Sequence, residues 1–232
     1  MAPVSLTTHD AEHGHSHDHG HESSGFSYDS ITPEQWPAFC SVPTLADKWA
    51  NADMKDCIAA DQIDHPIGAD VAGWGTAVSD GHGRGIAFCR YKNRGSYCAV
   101  VADVEATDRL RVVRLTVVAD VGCVVNTDGV RNQLEGGAVQ AASWSLLEQV
   151  RFDRHSVTST DWESYPIIRF TQVPIVDVHV LDRPDEPPLG AGEATQGPVT
   201  AAIGNALADA LGVRVYTLPF TPANIVAAID SV

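Results

Sequence analysis

The chain reads as an α+β domain, a mixed or antiparallel sheet packed with helices, and three observations predict it. Arg111, Val113, Leu115, Val117, Ala119 and Val121 alternate with Val112, Arg114, Thr116, Val118 and Asp120, the period of two that sends successive side chains to opposite faces of a sheet. Beyond Pro198, the residues Val199, Ile203, Ala206, Leu207, Ala210 and Leu211 recur at helical spacing, which lines one face of a helix. Strand-like and helix-like segments do not alternate regularly, so a doubly wound parallel sheet is not expected.

Residues 1–30 interleave His9, His13, His15, His17, His19 and His21 with Asp, Glu, Gly and Ser. Such a stretch has almost nothing to bury and is expected to be a disordered tail. Imidazoles at His13, His15, His17, His19 and His21 bind nickel, copper or zinc only loosely, because a firm site also needs fixed geometry and outer partners. Residues 31–80 read as an irregular or helical lead-in: Thr32 and Pro33 are a helix cap and first residue, Leu45, Trp49, Met54 and Ile58 are loosely helical in spacing, and His65 precedes Pro66 in a turn.

The folded domain is expected over residues 81–232. Gly81-His82-Gly83-Arg84-Gly85 invites a dinucleotide-binding reading, but a strand-like run follows it, whereas that fingerprint needs a strand before and a helix after. Strands are expected at 86–91, 97–105 and 110–121, with turns at Asn93-Arg94-Gly95 and Thr107-Asp108, as an antiparallel meander. Asn126, Thr127 and Asp128 are caps for a helix through about residue 150. Gly136 and Gly137 interrupt it, each costing up to about 1 kcal/mol relative to Ala, so something must pack close to the backbone: either tight helix-on-sheet packing or a ligand. Residues 175–181 form another half-buried strand, with His179 on its wetter face.

Pro188-Leu189-Gly190-Ala191-Gly192-Glu193-Ala194-Thr195-Gln196-Gly197-Pro198 is a glycine-lined turn running into the next helix, with Pro198 suited to its first position and Gly212 to its C-cap. Gly190 and Gly192 let main chain approach a ligand closely, and Glu193 is a lone acid on this support. The plain alternative is a helix cap, where an acid favours the helix dipole. Thr221-Pro222 opens a last short helix.

Composition narrows the function classes. The 232 residues, 44% hydrophobic, are enough to bury a real core. A net charge of −15, with five acids and no Lys or Arg in the first 30 residues, repels phosphate backbones, so neither nucleic acid nor an anionic membrane is an expected partner. Cys40, Cys57, Cys89, Cys98 and Cys123 are odd in number and contain no C-x-x-C pair, which fits neither a disulfide framework nor a zinc cluster and reads as reduced, mostly buried thiols. With no charged leader, twin arginine or long apolar run in view, the cytoplasm is the expected compartment.

Four segments, in matching order and spacing, resemble the molybdenum hydroxylases of the xanthine dehydrogenase and aldehyde oxidase family. Val121-Gly122-Cys123-Val124-Val125-Asn126, followed by Asn132-Gln133-Leu134-Glu135-Gly136-Gly137-Ala138-Val139-Gln140, looks like that family's strand, turn and Q-x-E-G-G/A-x-x-Q helix. Tyr165-Pro166-Ile167-Ile168-Arg169-Phe170 is similar to its segment before the active-site loop, Gly190-Ala191-Gly192-Glu193 to the loop itself, and Leu218-Pro219-Phe220-Thr221-Pro222 to its tail. The resemblance runs from about Gly83 onward and covers roughly the second molybdopterin-binding domain of a complete catalytic subunit.

The resemblance implies a molybdenum-pterin cofactor shared with a chain that carries the remaining molybdopterin-binding domain. Gln133, Gly190, Ala191, Gly192 and Ala194 would contact that cofactor, with no metal ligand inside the domain itself. It implies Glu193 as general base toward a molybdenum-bound hydroxyl that attacks an electron-poor carbon of an aldehyde or N-heterocycle, hydride passing to a sulfido group and oxygen coming ultimately from water. The base needs burial to hold its proton affinity near working pH, while a helix N-terminus pulls the other way. Electrons would leave to a 2Fe-2S electron-transfer subunit and FAD on other subunits, since no cluster-binding cysteine pattern occurs here. A competing reading is a non-catalytic truncated domain, or an accessory metal-binding protein acting through the histidine tail.

Overall fold

A computed structural model describes residues 71–91 and 95–231. The histidine tail with His13, His15, His17, His19 and His21, the lead-in through residue 70, Cys40 and Cys57 lie outside the described residues.

Three strands, β1 (His82–Arg90), β2 (Tyr97–Ala106) and β3 (Leu110–Asp120), form the expected antiparallel meander. The chain then forms helix α1 (Thr127–Leu146), a long connection with one 3-10 turn (Phe170–Gln172), and strand β4 (Ile175–Leu181). β4 pairs parallel with β3, so the sheet is mixed, in the order β1-β2-β3-β4. A parallel pair cannot be closed by a tight hairpin and needs a crossover, which α1 and its connection supply. Helices α2 (Gln196–Leu211) and α3 (Pro222–Ile229) complete the described fold.

Cys98, Val100, Ala102 and Val104 of β2 and Leu115, Val117 and Ala119 of β3 face one side, where Leu134, Ala138 and Ala141 of α1 and Val199, Ile203, Ala206 and Leu207 of α2 meet them. On the opposite face Ile86, Ala99 and Val101 are covered in part by Ala72, Trp74 and Phe88. The alternation of β3 is not continuous as the sequence suggests. Asp103 pairs with Arg114 but Val104 with Val112, so Val113 is an extra residue in a bulge, and Val112 takes the buried place that strict alternation assigns to Val113.

β1 begins at His82 rather than at residue 86, so Gly83 and Gly85 of the 81–85 run lie within the strand and Gly81 in the turn before it, and the role of the two strand glycines is steric. A Cβ on Gly85 would stand 2.1 Å from the Ala206 nitrogen and 2.3 Å from the Ala202 oxygen. Helix α2 therefore lies directly on β1, and its side chains cover the strand's open edge. Asp209 Oδ2 accepts from the Arg84 N–H at 2.9 Å, and Asn205 Nδ2 donates to the Ile86 carbonyl at 2.9 Å. These two bonds satisfy part of the strand's outer edge, which leaves it a poorer template for pairing with another strand.

The caps stand where the sequence places them: Asn126 accepts from the Gly129 N–H, Gly212 ends α2 in the left-handed region at φ 70°, and Thr221 accepts from the Asn224 N–H. Two boundaries differ. α1 stops at Leu146 rather than near residue 150, because the chain turns away there toward β4. α2 begins at Gln196, so Pro198 is its third residue rather than its first, still within the turn whose N–H groups need no intrahelical acceptor.

Gly85→Ala is expected to cost about 1–3 kcal/mol or more in urea unfolding, because the added methyl meets backbone that cannot yield. Gly136→Ala, whose Cβ would meet nothing within 4 Å, is expected to be neutral or to stabilise by up to about 1 kcal/mol. Equal effects of the two substitutions would contradict this packing.

Candidate active site

Because β3 and β4 run parallel and in register to Asp120 opposite Leu181, both strands release their following loops at the same edge of the sheet. The first loop, 121–126, leads into α1. The second, 182–195, leads into α2. Asp120, 6% exposed, lashes them together: its Oδ1 accepts from the Gly122 N–H at 2.9 Å, and its Oδ2 pairs with Arg183 Nη1 at 3.3 Å. Leu189 N donates to the Val121 carbonyl at 2.8 Å and Arg183 N to the Gly122 carbonyl at 3.3 Å. Gly122 has φ 70°, and a Cβ there would stand 2.0 Å from the Pro187 oxygen. The crossing of the loops thus admits no side chain at this point.

Between the loops and the first turns of α1 lies a cleft of about 450 Å³, its walls including Cys123, Asn126, Gln133, Gly190, Ala191 and Gly192. Gln133 and the glycine loop, more than fifty residues apart in the chain, therefore face the same space. A Cβ on Gly192 would come 4.0 Å from Gln133 Nε2, and Gly190 holds φ 85° with nothing within 4 Å of its Cβ position. Main chain, the carboxamides of Asn126 and Gln133 and the Cys123 thiol, rather than charged side chains, form the polar part of this wall.

The other expected residues fall elsewhere. Ala194 is 1% exposed and sits in the core rather than on the cleft wall. Glu193, between them, is exposed in this chain, so the shielding that its expected role requires is not supplied by the described residues. Of the glycine pair in α1, Gly137 is buried against the start of α2, where a Cβ would stand 2.5 Å from Thr195 Oγ1, and Gly136 faces open space. The close approach at Gly137 is thus of helix to helix start, neither helix to sheet nor helix to ligand. Thr195 Oγ1 is buried with no hydrogen-bond partner among the described residues. His179 lies on the sheet face opposite the core, with Val178 and Val180 turned inward.

Two residues that no sequence motif singles out support the loop from the end of β1. The Tyr91 hydroxyl donates to Glu193 Oε2, and Cys89 Sγ lies 3.7 Å from the Ala194 carbonyl as a donor. Burial raises the pKa of the Cys89 thiol, which keeps it protonated and able to donate. The only signal in the sequence is parity: Gly83, Gly85, Ala87 and Cys89 share one face of β1, the face that α2 covers, and Tyr91 follows the strand at the same spacing. Of the described cysteines, Cys98 is buried, Cys89 and Cys123 are half-buried, and all three are free. Among the described residues, no three His, Cys, Asp or Glu side chains converge as a metal-ligand set, and no helix is long and apolar enough to cross a membrane.

The family model of the molybdopterin cofactor-binding domain matches residues 39–174, more than half of the chain. The chain belongs to this family. It is 40% identical over 156 residues to a nicotinate dehydrogenase subunit of Pseudomonas putida, covering 63% of this chain and 13% of that protein. It is 27% identical over 223 residues to the beta subunit of isoquinoline 1-oxidoreductase from Brevundimonas diminuta, covering 84% and 28%. Among solved structures, quinoline 2-oxidoreductase of Pseudomonas putida 86 superposes with a TM-score of 0.52 at 30% identity, covering 58% of this chain and 18% of that one. Aldehyde oxidoreductase of Desulfovibrio gigas gives 0.51 at 29%, covering 58% and 15%. The chain thus spans less than a third of the length of each of these relatives.

The residues present fit a pterin group. Its ring edges carry both donors and acceptors, which a carboxamide such as Gln133 can match, and no Cβ at 190 or 192 obstructs approach to the main chain. Gly122→Ala is expected to destabilise the domain by about 1–3 kcal/mol through backbone strain and the clash with Pro187. Amide hydrogen exchange should show the opening concentrated at residues 183–192; uniform protection as in the wild type would contradict the lashing of the two loops.

Proposed function

We propose that this chain forms the C-terminal part of the cofactor-binding catalytic subunit of a molybdenum hydroxylase, which oxidises an N-heterocycle or aldehyde with oxygen derived from water. The observation that carries this reading is the convergence of Gln133 and the Gly190–Gly192 turn on one cleft, with Glu193 at the end of that turn. The names of the relatives, nicotinate dehydrogenase, isoquinoline 1-oxidoreductase and quinoline 2-oxidoreductase, favour an N-heterocycle. The remaining molybdopterin-binding domain, a 2Fe-2S electron-transfer subunit and FAD on other subunits are part of the same proposal.

When bound, the molybdenum-pterin group supplies the two-electron redox capacity of the reaction. Orientation and proton transfer fall to this chain's residues. Gln133 orients the cofactor through its carboxamide, and Gly190 and Gly192 let main chain reach it. Glu193 takes up a proton at Oε1 as the oxygen nucleophile attacks the substrate carbon, while Tyr91 holds Oε2 and fixes the direction of the free lone pairs. A positioned general base contributes about 10²–10⁴ in rate. The remaining domain must close over Glu193, because a base open to bulk water exchanges its proton there instead.

Glu193→Gln in the assembled enzyme is expected to lower kcat by about 10²-fold or more with molybdenum content unchanged, measured by metal analysis beside steady-state kinetics. Wild-type turnover in that variant would remove the base assignment. Gln133→Ala is expected to lower the pterin retained through purification, read by pterin fluorescence after oxidative release; full retention would remove the carboxamide from the proposed site.

A further inference from the structure

The connection from α1 to β4 is ordered in an unusual manner for a stretch so rich in large apolar side chains. Phe152 and Trp162 are each 76% exposed, Phe170 is 96% exposed, and Val150, Val157 and Ile175 are each more than half exposed. Of this connection, Ile168 reaches the main core. What holds the rest is polar and local. Thr158 N donates to the Arg151 carbonyl at 2.8 Å, and Phe152 bridges to Val157. Asp153 Oδ1 accepts from the His155 and Ser156 N–H groups at 2.7 and 2.8 Å, contacts that hold its carboxyl below the usual carboxylate range. Asp161 Oδ1 accepts from Ser164 N at 2.9 Å. Two further bonds tie the connection to α1 and its end: Tyr165 Oη to Glu148 Oε2 at 2.8 Å and Ile168 N to Ser143 Oγ at 2.9 Å. Hydrogen bonds thus hold a backbone whose Phe152, Trp162 and Phe170 side chains face outward, the composition of a preformed binding surface rather than of a core.

We infer that residues 150–175 form a docking arm for the body that carries the remaining molybdopterin-binding domain, anchoring it at a point remote from the cofactor cleft. This inference rests on the function proposed above, which requires such a body.

Three observations select this occupant. First, each relative is more than three times as long as the segment it shares with this chain, so the relatives contain ample polypeptide to cover the arm. Second, residues 150–175 carry three Arg against three Asp or Glu, whereas the chain as a whole carries −15. A second copy would bring one strongly acidic molecule against another, while a neutral arm suits an apolar surface on a different body. Third, the arm follows the C-terminal end of α1, and the cleft lies at its N-terminal end. Twenty helical residues separate them, about 30 Å at 1.5 Å per residue. A body that closes the cleft and also covers the arm must be domain-sized and run along α1, on which Arg131, Gln133, Glu135, Gly136 and Gln140 are exposed.

The test uses the full chain and, as the binding probe, the Pseudomonas putida nicotinate dehydrogenase subunit produced without the segment homologous to this chain. The wild type is expected to form a one-to-one complex by sedimentation, with hydrogen-exchange protection over residues 150–173. The triple variant Phe152→Ser, Trp162→Ser, Phe170→Ser is expected to bind about tenfold more weakly or worse, with an unchanged circular dichroism spectrum and melting point because all three side chains are exposed. Equal binding by the variant, no complex with the wild type, or wild-type self-association that the variant abolishes would each overturn the inference. The arm and the proposed function fail separately: a complex that depends on the arm but retains no molybdopterin sinks the function and leaves the arm. A complex that retains molybdopterin, loses it in Gln133→Ala, and is indifferent to the triple variant does the reverse.

Discussion

The parallel register of β4 on β3 is the constraint on which the rest of the molecule depends. An antiparallel fourth strand would deliver its following loop to the opposite end of the sheet, some seven residues of strand away, and Gln133 and the Gly190–Gly192 turn would never share a cleft. Parallel pairing sends both loops to one edge, and the need for a crossover in turn dictates α1 and the long connection after it. The cleft and the exposed arm are therefore two ends of one topological decision.

Holding the two loops together takes a second, smaller device. Asp120 is nearly buried, yet it is satisfied by an N–H on its own loop and a guanidinium on the other. A buried carboxylate is tolerable only with such partners. The surface salt bridges Arg111–Glu105 and Arg114–Asp177 lie on the exposed flanks and contribute little by comparison. Steric constraint completes the joint, since Gly122 leaves no room for a side chain against Pro187. Glu193, at the end of the glycine turn beyond this crossing, is held from the other side by the Tyr91 hydroxyl at the end of β1.

Much of the fold was legible because its signals are local. Alternation marked the three meander strands and β4, and Asn126, Gly212 and Thr221 marked helix ends where the structure has them. The bulge at Val113 was not legible, since nothing in Arg111 to Val121 states that β2 pairs Asp103 and Val104 with residues two apart. The end of α1 was equally hidden: Leu147 and Val150 continue the apolar pattern, but tertiary direction overrides it. At the candidate site, Gln133, Gly190, Ala191 and Gly192 were legible and meet in the cleft. The core position of Ala194 and the support from Tyr91 and Cys89 were not, because they depend on contacts about a hundred residues apart in the chain.

By itself, the sequence determined the class of fold, the strands and caps, the family resemblance and the residues to watch, all of which depend on side-chain period, backbone preference or short motifs within a few residues of one another. Only the tertiary structure decided that the sheet is mixed, that the two loops cross at Gly122, that Gly137 admits Thr195, that Glu193 is left exposed, and that Phe152, Trp162 and Phe170 face outward. The physical reason is the same in each case. Burial and proximity are properties of pairs of distant segments, and a local pattern carries no record of which partner will arrive.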